Sequence, residues 1–236
     1  QLETGDPAAR LIFGVSEKAE ALRQQVRAVA RSGSDALITG AAGTGISKVA
    51  EVVHLCSPAA RAPFVKRSGE GLDVAALDIS LEEAQGGTLF IDDIPSTPAQ
   101  TQFHLLERLE QGRAVRLLGG AKAVADVERS LNEELFYRLD VGRAHIPSIR
   151  ERPEDIPVLF RHYVAQAAEQ SGIKPPAIEA AHIADLLAQD WPGNARALMS
   201  AAMRFVLGIS APVSQGDELS LSEQLGQVER ALLISA

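Results

Sequence analysis

Apolar residues up to Pro147 occur in two patterns, helical spacing and short continuous runs, and each pattern predicts a different kind of element. Residues 16–31 show helical spacing, which predicts an amphipathic helix that buries Ala19, Leu22, Val26, Val29 and Ala30. Short apolar runs predict strands at 36–39, 63–65, 88–91 and 115–118, separated by helical patterns at 47–55, 81–84 and 98–111. This alternation predicts an α/β fold in which helices cover both faces of a parallel sheet.

Beyond Pro147 the pattern becomes helical throughout. Helical segments at 151–172, 178–189 and 194–209 are separated by proline and glycine, which predicts a small all-helical domain. A polar linker follows, and then Leu221, Leu225, Val228 and Leu232 lie on one face of a further helix. We therefore expect a leader at 1–12, an α/β core at 13–148, a helical lid at 149–209, and at 210–236 a linker with the start of a truncated C-terminal helix.

Composition narrows the class of protein. The chain has 236 residues, a net charge of −8 and a single cysteine, Cys56. One cysteine cannot form an internal disulfide, which fits the reducing cytoplasm. No apolar run approaches the roughly 18 residues that span a bilayer, so we expect no membrane contact. The acidic balance argues against a nucleic-acid contact surface and favours protein partners.

The segment 40–47 has the outline of a phosphate-binding loop, G-x-x-x-x-G-K-[ST], with Ile46 in the place of the lysine. Such a loop directs backbone N–H groups and a helix N-terminus at phosphates, while the lysine neutralises their charge. Lys48 is a poor substitute, because two residues rotate a helical side chain by roughly 200°. The candidate nucleotide contacts in this loop are Gly40, Gly43, Thr44, Gly45, Ile46 and Ser47.

Three further groups add to the candidate site. Asp92 and Asp93 end an apolar strand, where acids in phosphate-loop ATPases hold Mg²⁺ and polarise the attacking water. Arg138 lies in an otherwise apolar stretch at 135–139, and Arg196 lies in the first turn of the helix predicted from 194. If Mg²⁺ binds, Ser47 and Asp92 are the expected ligands.

Together these blocks resemble the central AAA+ domain of bacterial enhancer-binding proteins, the sigma-54 activators of the nitrogen- and dicarboxylate-regulation type. The resemblance covers about 13–208 and rests on Phe13-Gly14-Val15-Ser16, Pro63-Phe64-Val65 and the segments 86–92, 136–139, 149–157 and 191–198. It implies an AAA+ core with a lid, Gly14 and Val15 at the adenine, Arg138 acting in trans and Arg196 as the lid arginine. It also implies self-assembly, RNA polymerase or other regulators as partners, and DNA contact through a domain absent from this chain, next to a response-regulator receiver domain.

Several positions depart from the family pattern. Asp93 replaces a glutamate, and Asn132 replaces an arginine. The sensor asparagine after the fourth strand is either replaced by Lys122 or lost with a local deletion within 119–129. The span 66–85 is also too short for the insertion that carries the GAFTGA loop, with which the family contacts sigma-54.

These departures predict a degenerate site. Losing one preorganised charge raises a barrier by about 3 kcal/mol, so the combined losses leave little ATPase activity. We expect no active catalytic residue, no required cofactor, no dedicated metal site, and at best weak ATP or ADP binding with Mg²⁺. The resulting hypothesis is a transcriptional regulator whose AAA+ module serves oligomerisation or protein interaction. The alternatives are an active ATPase that drives sigma-54-dependent or other transcription, and a structural adaptor that uses neither nucleotide nor DNA.

Overall fold

The computed structural model describes residues 5–112 and 114–209, and its centre is a five-stranded parallel sheet. The order is β2-β3-β4-β1-β5, with β1 at Ala36–Gly40, β2 at Phe64–Ser68, β3 at Thr88–Asp92, β4 at Arg116–Ala121 and β5 at Arg143–Ile146. The predicted α/β fold is confirmed. The sequence analysis did not predict β5, because this edge strand has only four residues.

Helices cover both faces of the sheet, as predicted. They are α1 at Pro7–Leu11, α2 at Glu17–Ser32, α3 at Ile46–Leu55, α4 at Val74–Glu83, α5 at Ala99–Glu110, α6 at Val124–Ser130 and α7 at Glu133–Leu139. Successive strand residues point to opposite faces. Accordingly Leu37 joins the core under α4 and α5, whereas Ile38 joins the core under α2 and α3.

Helix α2 forms where its pattern predicts. The hydroxyl of Ser16 accepts a hydrogen bond from the Ala19 N–H at 3.0 Å, and Gly33 ends the helix with φ 64°. All five residues predicted for its apolar stripe are buried. Part of the segment expected to be a leader, 1–12, is instead folded onto the core. Pro7–Leu11 is helical, and Ala8 is fully buried against α3.

The lid comprises α8 at Ile156–Ser171, α9 at Ala180–Leu187 and α10 at Asn194–Val206. It has its own apolar core, in which the Trp191 indole N–H donates to the Leu186 carbonyl at 2.9 Å. The helix predicted after residue 220 lies outside the described residues. Across 5–112 and 114–209, every helix falls short of the length and apolar character that crossing a membrane requires.

Candidate functional site

A cleft of about 1000 Å³ opens between the α/β core and the lid. Its volume is at the upper end of the range for small-molecule sites. Eight predicted residues line it: Gly43, Thr44, Gly45, Ile46, Ser47, Asp92, Asp93 and Arg196. Four others, Gly14, Val15, Gly40 and Arg138, are not among its lining residues. The tertiary structure thus brings together the loop, the strand acids and the lid arginine that the sequence singled out.

The loop between β1 and α3 has the backbone shape of an anion cradle. Gly43 and Gly45 have φ values of 79° and 97°, which residues with a side chain rarely adopt. Gly45 caps α3 without a side-chain hydrogen bond. The first N–H groups of a helix have no acceptor within it, so the start of α3 can direct its N–H groups at a phosphate.

Ile46 stands where the loop motif has a lysine, so the cradle lacks that cation, and its side chain holds the loop against the core. Its side chain packs against the core beneath α2 and α3, beside Phe90. A Cβ added to Gly120 would lie 2.9 Å from the Ile46 methyl carbon Cγ2, so β4 accommodates Ile46 by having glycine there. The apolar side chain is therefore part of the packed core as well as of the cleft wall.

The strand acids have partners of their own. The Asp93 carboxylate accepts a hydrogen bond from the Ser96 hydroxyl at 2.6 Å, and Asp93 has an unusual positive φ of 51°. Asp92 accepts from the N–H of Asp93 at 3.1 Å. The ammonium of Lys66, on β2, lies 3.8 Å from the Asp92 carboxylate. One carboxylate is thus held by its own turn, and the other lies beside a fixed positive charge.

This arrangement does not fit Mg²⁺ at the expected pair, Ser47 and Asp92. Mg²⁺ requires octahedral oxygen ligands at about 2.0–2.1 Å and retains several waters. The Lys66 ammonium, 3.8 Å from the Asp92 carboxylate, would repel a hydrated dication bound there.

The lid packs directly against the loop between β1 and α3. The Asn194 side-chain amide donates to the Ala42 carbonyl at 2.9 Å, and the backbone N–H of Arg196 donates to the Gly43 carbonyl at 3.1 Å. A Cβ at Gly43 would overlap the carbonyl oxygen of Gly193, so the two backbones touch. The first turn of α10 therefore holds Arg196 at the edge of the cradle.

Arg138 lies elsewhere, on α7, where its guanidinium pairs with the Asp35 carboxylate. Asp35 in turn accepts from the Leu117 N–H at 2.7 Å, so the pair joins α7 to β4. Within this chain, Arg138 acts as a structural link.

At the opposite end of the cleft, a buried carboxylate joins the lid to the segment before α2. Asp155 is fully buried and accepts from the N–H groups of Val15 and Ser16 at 2.6 and 2.8 Å, and from the Ser16 hydroxyl at 2.6 Å. A Cβ at Gly14 would lie 2.6 Å from its oxygen. Gly14 and Val15 thus lie at this link between the lid and the core, while the preceding Ile12 and Phe13 line the cleft.

The sequence analysis did not identify four residues that matter here. Phe13 stacks on His162 at a centroid distance of 3.7 Å, and Tyr163 and Arg152 line the same cleft. Burial lowers the pKa of His162 and of Arg152 and raises the pKa of Tyr163. The segment 149–157 had been noted as a block, but nothing in its pattern indicated that Arg152 would be buried.

Comparison with known proteins agrees with this geometry. Residues 13–149 match the family described as the sigma-54 interaction domain, and residues 150–227 match the AAA+ ATPase lid domain. The chain is 33% identical to the C4-dicarboxylate transport transcriptional regulatory protein DctD of Pseudomonas aeruginosa, over 94% of this chain and 57% of that protein. It is 34% identical to the DNA-binding transcriptional regulator NtrC of Escherichia coli, over 72% of this chain and 44% of that protein.

Comparison with solved structures also finds transcriptional regulators of similar fold. NtrX from Brucella abortus in complex with ATP superposes with a TM-score of 0.77 at 29% identity, covering 92% of this chain and 61% of that one. The complex of NtrX with ADP gives 0.75 at 31%, covering 91% and 53%. The chain therefore belongs to the sigma-54 interaction domain family, the AAA+ module of sigma-54-type transcriptional activators. It spans about half the length of the curated relatives it matches.

Proposed function

We propose that this chain is the AAA+ module of a transcriptional regulator that hydrolyses little or no ATP and serves oligomerisation and protein interaction. The observation that carries the proposal is Ile46, which stands in the place of the loop cation and packs, partly buried, against the core. Without that cation, charge developing on the transferred phosphoryl group loses a preorganised partner.

Two other residues of the site also favour a low rate of ATP hydrolysis. The Asp93 carboxylate is engaged by the Ser96 hydroxyl and is one methylene shorter than the glutamate that the family commonly carries there. Lys122, which lines the cleft after β4, takes the place of a neutral sensor amide. Each change removes or alters a group that orients water or reports the γ-phosphate, so the defects act on different parts of one reaction.

Nucleotide binding is retained in this proposal at low affinity. The glycine cradle, Arg196 and the Phe13 end of the cleft remain in place. NtrX, whose structures hold ATP or ADP, shares this fold over most of the chain. We expect dissociation constants between about 0.1 and 1 mM, which correspond to roughly −5.5 to −4 kcal/mol.

The proposal includes no sigma-54 contact loop. Strands β2 and β3 are joined through residues 69–87, and α4 at Val74–Glu83 occupies most of that connection. The alignment with DctD extends over 264 positions, more than the 236 residues of the whole chain, so that relative has residues without a counterpart here. The proposed partners are therefore other copies of the chain, RNA polymerase or other regulators, and DNA through a flanking domain, in the cytoplasm.

Steady-state phosphate release at millimolar ATP tests the proposal. The wild-type chain and the Ile46→Lys variant should both match a protein-free blank, because a lysine alone does not correct Asp93 and Lys122. The quadruple variant Ile46→Lys, Lys66→Met, Asp93→Glu, Lys122→Asn, which also removes the ammonium from Asp92, should release phosphate measurably above the blank. Turnover by the wild-type chain, followed by open-complex formation with sigma-54 polymerase, would instead establish the alternative, an ATPase that activates transcription.

A further inference from the structure

We infer that the Lys66 ammonium takes the place of the divalent cation, so that this cleft binds metal-free nucleoside di- and triphosphates. The inference rests on the nucleotide binding contained in the proposed function and specifies its ligand. The relevant species is the free polyphosphate anion, and the Mg²⁺ complex is the competitor.

The position of Lys66 follows from strand geometry. Phe64, Lys66 and Ser68 alternate onto one face of β2, and Phe64 packs there against the core under α3. In the parallel register, Ser68 is opposite Asp92 and Lys66 is opposite Phe90. Lys66 therefore lies on the face that carries the phosphate-type loop, with its ammonium 3.8 Å from the Asp92 carboxylate.

That placement gives Asp92 a monovalent, permanently attached counterion. A hydrated Mg²⁺ at Asp92 would be repelled by the ammonium and would have to displace it from the carboxylate. A polyphosphate meets no such penalty, because the same ammonium can donate to a phosphate oxygen while it remains near Asp92.

Acidic side chains also line the cleft, namely Glu51, Glu70, Asp92 and Asp93, and basic side chains at the loop and the lid offset their charge. Lys122 and Arg196 line it, and within 5–112 and 114–209 neither forms an ion pair with a carboxylate. Arg152 also lines the cleft, is 5% exposed, and its Nε is a buried donor without a hydrogen-bond partner among the described residues. Its guanidinium lies 3.5 Å from the buried Asp155 carboxylate, which balances part of its charge.

Together Lys66, Lys122 and Arg196 place three positive charges on the cleft wall near the loop. Free ADP and ATP carry more negative charge than their Mg²⁺ complexes and should be the better ligands.

The test is calorimetric titration of the chain with ADP in excess EDTA and, separately, in excess MgCl₂. The wild-type chain should bind ADP at least as tightly in EDTA. Lys66→Met keeps the length of the side chain without its charge and should weaken binding in EDTA about tenfold, the loss of one charged contact. Adding MgCl₂ should then strengthen ADP binding by this variant.

Lys18→Met is the matched control. Lys18 is 52% exposed and lies 3.6 Å from Glu151, values close to the 51% and 3.8 Å of Lys66, but it is not among the residues that line the cleft. Its ADP affinity should equal that of the wild type in both conditions. A second readout is Mn²⁺ electron paramagnetic resonance in the presence of ADP, where Lys66→Met should show more protein-bound Mn²⁺ than the wild type.

The outcomes separate this inference from the proposed function. If ADP binds the wild-type chain only with Mg²⁺, or if Lys66→Met binds as the wild type does in EDTA, the role of Lys66 is wrong while nucleotide binding stands. If ADP binds in neither condition, the nucleotide binding in the proposed function is itself wrong, and the inference fails with it.

Discussion

The side-chain amide of Asn194 donates a hydrogen bond to the carbonyl oxygen of Ala42 at 2.9 Å, and so ties the lid to the phosphate-type loop. The same side chain accepts from the Ile149 N–H at 3.0 Å through its oxygen. Asn194 is nearly buried and has a φ of 50°, a conformation that asparagine tolerates better than most residues. One amide thus connects the loop, the start of the lid and the first turn of α10.

Replacing Asn194 with alanine should destabilise the fold by about 2 kcal/mol, because two hydrogen bonds are lost and alanine is strained at positive φ. Asn194→Gly relieves the backbone strain but not the lost bonds, and should recover about 1 kcal/mol of this. Urea unfolding of both variants measures the two parts. Equal stability of the variants and the wild type would show that the amide does not hold the lid to the loop.

Asp155 is the second link between lid and core. Asp155→Ala should destabilise by about 3 kcal/mol, because it removes hydrogen bonds to the segment before α2 and leaves the buried guanidinium of Arg152 without its carboxylate at 3.5 Å. The control, Asp126→Ala, breaks an exposed pair with Arg129 and should cost less than about 1 kcal/mol. Thermal unfolding that ranks the two variants equally would contradict the buried link.

His54 should make stability depend on pH. Burial lowers its pKa from the usual 6.5, outweighing the hydrogen bond to the Ala62 carbonyl at 3.1 Å. Below 6.5 the unfolded chain then binds more protons than the folded chain, so stability is complete above that pH and declines on acidification.

Free energies of unfolding between about pH 5 and 8 measure this effect, whose slope for one proton cannot exceed about 1.4 kcal/mol per pH unit. His54→Gln retains donor and acceptor groups and should have a shallower slope below the usual pKa. Burial lowers the pKa of His162 as well, so the double variant with His162→Gln should be flatter still. An unchanged slope in both variants would refute the assignment.

The two arginines of the candidate site should behave differently. Arg196→Ala should weaken ADP binding about tenfold, because its side chain lines the cleft at the loop. Arg138→Ala should leave ADP affinity unchanged and lower stability by about 1 kcal/mol, because Arg138 pairs with Asp35 and is partly exposed. Calorimetry measures the ADP affinity of the two variants, and urea unfolding measures their stability. Weaker ADP binding by Arg138→Ala would place that residue in the site.

Much of the fold followed from the sequence alone. The apolar period fixed the stripe of α2, and the glycine pattern identified the loop from Gly40 to Ser47, because these features depend on neighbours within a few residues. The strand acids and the lid arginine were likewise found from local motifs. Helices α6 and α7 and strand β5 were not predicted, because each is seven residues or shorter and gives a weak periodic signal.

Tertiary structure alone decided which of these groups meet. Residues far apart in sequence, such as Asp155 and Ser16, or Lys66 and Asp92, are joined only when the parallel sheet and the lid bring their elements together. Lys66 fell just after the strand predicted at 63–65, where it was one more charged residue. Arg138 matched a family motif, and its pairing with Asp35 appears only in the tertiary structure. Periodicity specifies which face of an element is buried, whereas charge pairing depends on distances across elements, which the sequence pattern does not contain.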